Sequence, residues 1–240
     1  VWIKQGREKM NQRYKSFRAD VMTSATTVST HMSDEQRSVL RNTYLLLSMC
    51  LAFSATVAGT AVILQLPHPG IVITLIGFFG LWFLVNKYRT SWAGVALTFA
   101  LTGFMGYTLG PIIGHYLKLP NGSMTVMMAM GGTAAIFTAM SAYALVSKRD
   151  LSFLGGMLAI GVLVAFLAAL VALFMNIPAL SLTVSAAFVL LMSGMILYET
   201  SRIVRGGETN YIIATVSLFV SIFNLFTSLL HILGFVNQSE

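Results

Sequence analysis

Seven apolar stretches alternate with short polar connections along most of the chain, over residues 43–66, 70–86, 92–114, 124–147, 153–175, 179–204 and 211–235. Each approaches the ~20 residues with which a helix crosses a ~30 Å hydrocarbon core, and the second, which contains glycine, is the shortest. The run Leu66-Pro67-His68-Pro69-Gly70 ends the first stretch and Pro178 follows the fifth, so helix stops fall where the membrane surface is expected. The connections are too short to hold a separate domain. The pattern predicts an all-α integral membrane protein, with a seven-transmembrane-helix bundle over 42–240 and a flexible basic tail over 1–41.

The last stretch orders the others. From Asn210 to Gly234 it has no formally charged side chain, yet Ser217, Ser221, Asn224, Ser228 and His231 recur at spacings of 4, 3, 4 and 3. On a helix this draws one polar stripe, with Leu218, Phe219, Val220, Ile222, Phe223 and Phe226 filling the rest of the surface. Lipid offers such a stripe no hydrogen-bond partner, so it faces other helices or a wet cavity. Hydroxyl glue between helices and the lining of a functional cavity both satisfy this, and both make the last helix central.

Composition agrees with a membrane protein: 56% of residues are hydrophobic, 10% are charged, and the mean hydropathy is +0.79. The formal charge of +7 is not that of a nucleic-acid-binding patch. Residues 1–41 hold eight Lys and Arg against four acids, and the remaining basic residues lie in the connections. Numbering the stretches in order, fourteen of the fifteen Lys and Arg fall on one side of the membrane, and Lys118 alone falls on the other. The positive-inside rule then makes the N-terminus cytoplasmic, and an odd number of spans puts the C-terminus outside. The tail has too little apolar content for a core and lacks the apolar region of a signal peptide. Cys50, the single cysteine, can form no internal disulfide and reads as a buried thiol.

Glu199 is the one acidic residue inside an apolar stretch. It lies about five residues from the end of the sixth helix, roughly 8 Å deep at 1.5 Å per residue. A carboxylate there needs a partner. Arg202 is three residues on, and Lys87 ends the second helix on the same side of the membrane. The pairing is either an ion pair anchoring a helix end or a protonatable latch, which holds neighbouring helices when charged and releases them when neutral. In the third helix Gly106, Gly110 and Gly114 form a smooth face for close helix approach, and Pro111 can kink the helix or form a gate. His68, His115 and His231 lack the spacing and carboxylate companions of a metal site. No metal or other cofactor is expected. No nucleophile, base and orienting group can be assembled within the spans either, because these three histidines lie across the membrane from Glu199, so the chain does not read as an enzyme.

Several separated blocks carry a family likeness: LTGFMGYTLGPIIGHY, KRDLSFLGGML, MILYETSRI, SLFVSIFNLFTSLLHILGF, RNTYLLLS before the first stretch and GGETNYI before the last. Together they span about residues 38–236 and resemble the Bax inhibitor-1 family of membrane proteins, specifically its bacterial branch of modulators of an FtsH-type AAA protease. The resemblance implies a multi-pass protein of the bacterial inner membrane whose last helix is enclosed by the others. It also implies a partner, the membrane-bound protease, which it would occupy so that other membrane proteins are spared. Calcium-leak members of the family carry two aspartates and a basic residue. The resemblance maps the aspartates onto Glu199 and Ser221 and the basic position near Asn86 and Lys87, so the second carboxylate is lost here. A pH-sensitive calcium leak is therefore the alternative function, with at most weak calcium binding expected.

Overall fold

The computed structural model describes residues 32–147, 151–175 and 177–238, with the side chain of Gln238 left aside. The tail expected over 1–41 therefore lies outside the described residues up to residue 31.

Seven α-helices make up the described chain: α1 Asp34–Ile63, α2 Ile71–Lys87, α3 Trp92–Leu117, α4 Gly122–Val146, α5 Leu154–Met175, α6 Pro178–Val204 and α7 Tyr211–Gln238. All but α2 are long and apolar enough to cross a membrane, while α2 is a shorter apolar helix of 17 residues. The protein is thus an all-α, multi-pass membrane bundle. The first helix starts nine residues before the apolar stretch that announced it. Ser33-Asp34-Glu35-Gln36 has the pattern of a capping box, and its two acids sit in the first turn, where the helix dipole favours them. Residues 34–41 are therefore helix rather than tail, and Val39 is already buried against the bundle.

The connections are built by local chemistry. Gly70 takes φ 85° ahead of α2, its N–H donating to Nδ1 of His68 at 3.0 Å. The Tyr107 hydroxyl of α3 reaches back to the Pro67 carbonyl at 2.8 Å. Pro178 sits in the first turn of α6, where its missing N–H costs no helical bond. Before α7, Asn210 Oδ1 accepts from the N–H groups of Ile212 and Ile213 at 3.0 and 3.1 Å, while its Nδ2 donates to the Arg89 carbonyl at 2.7 Å. One side chain thereby caps α7 and ties it to the α2–α3 connection.

The most extensive helix pairs are α1 with α3 and α6 with α7. Helix α7 also packs on α1, α2, α3 and α4, and more than half of its apolar window is buried, the largest share of the six long helices. By contrast, α5 packs chiefly on α6 and turns Met157, Ile160, Val164 and Leu167 outward, as a lipid-facing helix does. The core runs through Leu46, Leu47, Leu101, Ile196, Leu218 and Leu225.

Candidate polar seam between α6 and α7

Helix α7 turns its stripe toward α6 at two levels. Ser221, almost wholly buried, donates to Oε2 of Glu199 at 3.3 Å. Ten residues further on, His231 places Nδ1 3.0 Å from Oγ of Ser185. The numbering of the two pairs descends on α6 as it rises on α7, so the helices run antiparallel. Ser228 is also buried, Ser217 is half-buried, and Asn224 spends its amide on the Val220 carbonyl one turn back. The helix-glue reading accounts for Ser221 and His231 directly. Asn224 satisfies itself within its own helix.

Two further polar contacts complete the seam and had no counterpart in the stripe. Thr215 donates to the carbonyls of Tyr211 and Thr43, joining α7 to α1. Tyr44 of α1 sets its hydroxyl 3.4 Å from Oγ1 of Thr200, next to Glu199 in sequence, and its ring 5.9 Å from that of Phe137 in α4. Thr215 lies two residues before Ser217 and thus off the stripe, and Tyr44 and Thr200 lie on other helices. Periodicity within one helix could not join them.

Glu199 is buried, with only 7% of its surface exposed, and neither expected cation forms a salt bridge with it among the described residues. Arg202 pairs with Glu208 at 3.2 Å and also donates to the Gly207 carbonyl. Lys87 lies over the ring of its neighbour Tyr88, 5.8 Å from the centroid. With neither Lys87 nor Arg202 in a salt bridge to Glu199, the hydrogen bond that Glu199 makes among the described residues comes from the Ser221 hydroxyl. The cause is local. Three residues on a helix leave Arg202 about 60° around the axis from Glu199 and a turn closer to the surface, where the loop after α6 brings Glu208 round.

This geometry sets what substitution at 199 should do. In Glu199→Gln the amide oxygen can still accept from Ser221, and no salt bridge among the described residues is broken. Its unfolding midpoint in detergent should stay near that of the native protein, a change of about 1 kcal/mol or less. Glu199→Leu strands the Ser221 hydroxyl in the core and should cost about 1–3 kcal/mol. A large loss in the Gln variant would show that an ion pair does hold this helix.

The glycines of α3 divide. A Cβ on Gly106 would strike the Ser54 backbone oxygen of α1, and one on Gly110 would meet Ala58 and Ala61. Gly114 has open space around it. Pro111 lies inside α3, which continues through it to Leu117. Among the described residues no group of three His, Cys, Asp or Glu side chains is placed to hold a metal ion.

The sequence profile described as "Inhibitor of apoptosis-promoting Bax1" (Bax1-I) matches residues 36–238, which takes in all seven helices. Over 200 residues the chain is 52% identical to "Modulator of FtsH protease YccA" of Escherichia coli, covering 83% of this chain and 91% of that protein. An uncharacterised protein of Pseudomonas aeruginosa is 54% identical over 86% of this chain and 93% of its own length. An uncharacterised membrane protein of Vibrio cholerae is 42% identical over the same shares.

Proposed function

This chain belongs to the Bax1-I family, and we propose that within it the protein is a membrane-embedded modulator of an FtsH-type protease, which it binds and thereby restrains from degrading other membrane proteins. The observation that carries this reading is the 52% identity along nearly the whole length of a relative named for that activity. We read the setting as a bacterial inner membrane, with all seven helices as spans, α7 at the centre, the N-terminus in the cytoplasm and the C-terminus outside. The distribution of Lys and Arg supports this orientation, and the burial of α7 supports its position.

The orientation has a direct test. A reporter that works only outside the cytoplasm should be active when fused after Glu240 and silent when fused after Lys148. The reverse pattern would take the basic tail away from a cytoplasmic protease domain and remove the tail's role in the proposal.

The tail at 1–31 is polar and basic, the kind of segment a protease can engage. Starting the chain at Met32 removes it and leaves α1 whole, and the basic residues still stand eight to one across the membrane. This variant should insert normally, be degraded more slowly by the protease and protect a second membrane substrate less. Pulse-chase turnover of both proteins at matched expression measures it. Unchanged turnover and unchanged protection would leave the tail a topology signal alone.

A calcium leak is the second reading, favoured by the single observation that positions 199 and 221 touch. The contact consists of one carboxyl group and one hydroxyl, a poor set for an ion that takes six to eight oxygens.

A further inference from the structure

The first two turns of α1 differ from the rest of that helix. Residues 34–41 carry Asp34, Glu35, Arg37 and Arg41 and precede the apolar stretch, so they form a foot outside the apolar layer. Isolated helices shorter than ~12–15 residues are marginal in water, so a foot of this length depends on docking against the bundle.

The turn between α6 and α7 supplies the dock. Val39 is buried and belongs to the same core cluster as Ile203, at the end of α6, and Ile212, at the start of α7. The Gln36 amide lies over Gly206 so closely that a Cβ there would stand 2.8 Å from Nε2. Gly206 also takes φ 75°, a left-handed backbone that glycine adopts without strain. The turn is cross-tied within itself. Glu208 Oε2 pairs with Arg202 at 3.2 Å, its Oε1 accepts from the Asn210 N–H at 3.0 Å, and the Gly207 N–H donates to the Arg202 carbonyl at 2.8 Å. Asn210 donates in turn to the Arg89 carbonyl. The foot therefore rests on an element that braces α6, α7 and the α2–α3 connection together.

The foot is also where the bundle begins, directly after the polar N-terminal stretch. A protease that draws on that stretch loads the foot before any helix inside the apolar layer. On the protease-modulator reading, from which this follows, we propose that the docked foot of α1 is a clasp that stalls the protease. Closed, it keeps the chain engaged without being drawn from the membrane; opening it admits the chain to degradation. Cleavage through a transient opening tracks the population of the open form when reclosing is fast, so a weaker clasp shortens the time for which the protease is occupied.

Two measurements on the full-length protein separate the clasp from the protease. Gln36→Ala takes the amide off Gly206 yet raises intrinsic helix propensity, so a loss it causes comes from undocking rather than from a poorer helix. Val39→Ser removes the buried apolar anchor, and Arg37→Gln, on the exposed side of the foot, is the control. In nanodiscs, hydrogen exchange at the amides of residues 38–41 should run about tenfold faster in the Gln36→Ala/Val39→Ser double variant, with exchange in α7 unchanged. With purified FtsH-type protease and ATP, that variant should be degraded about tenfold faster and protect a second membrane substrate for a correspondingly shorter time. Gln36→Ala alone should move both readouts in the same direction, and Arg37→Gln should move neither. Unchanged exchange in the double variant, or fast exchange of the foot already in the native protein, would overturn the docking. Native-like turnover of a variant whose foot exchanges fast, or equal acceleration by Arg37→Gln, would overturn the clasp and leave the modulator reading intact. A native protein that protects no second substrate would overturn the modulator reading, and the clasp's role with it.

Discussion

Gly106→Leu should drive α1 and α3 apart and lower the stability of the bundle by about 3 kcal/mol or more, at or beyond the upper end of what overpacking costs. A Cβ at this position meets the Ser54 backbone oxygen, with Oγ at 2.8 Å and Cα at 3.0 Å. Backbone cannot swing aside as the end of a long side chain can, so one of the two helices must move. These two helices form one of the most extensive pairs in the bundle, and their displacement also disturbs α7, which packs on both. Gly114→Leu supplies the control, since its Cβ would enter open space and should change stability by about 0.5 kcal/mol or less. Thermal unfolding in detergent separates the two variants. Equal losses at 106 and 114 would mean that the close approach of α1 and α3 is not what the glycines serve.

That contrast also marks how far the sequence could be read. Three glycines at four-residue spacing look equivalent on one helix, and nothing within α3 distinguishes Gly114 from the others. The distinction comes from α1, which ends at Ile63: Gly110 already meets Ala61, and one turn further the partner helix has run out. The helices themselves were legible because an apolar run long enough to span a membrane has few other uses. Where a helix leaves the apolar layer the same signal fails, and residues 34–41 read as tail because Asp34, Glu35, Arg37 and Arg41 mask the continuing buried face of Val39 and Thr43.

The candidate site divides in the same way. The stripe on α7 could be found because its period lies within a single helix, and Ser221 and His231 do turn to α6. Partners across helices and loops could not. Arg202 and Glu208 are joined through a turn in which Gly206 takes φ 75°, and no helical period predicts that return. The same turn gives Arg202 its salt bridge to Glu208 rather than to Glu199, whose hydrogen bond comes from a hydroxyl. A family likeness reached further than periodicity here, since it singles out positions 199 and 221, which touch.

Their contact makes the calcium question sharp. In the native protein Ser221 offers a hydroxyl to Oε2 of Glu199 at 3.3 Å, and no group of three acidic, His or Cys side chains stands near enough to hold an ion among the described residues. A hard divalent cation draws most of its binding from carboxylate oxygens and seeks six to eight oxygens in all. One carboxyl group in an apolar surround cannot strip calcium of its water. Native protein in proteoliposomes should therefore pass calcium at the rate of empty vesicles. Ser221→Asp puts a second carboxyl group against the first, each able to bind through two oxygens, and should raise calcium influx well above that background. Adding Glu199→Gln to Ser221→Asp should return it to background, because the gain depends on the pair and not on either residue alone. Influx followed with a calcium-sensitive dye across pH 5–8 reads all three proteins. Strong flux through the native protein that Glu199→Gln abolishes would mean that one carboxyl group suffices, and the leak would replace the protease modulator as the leading function.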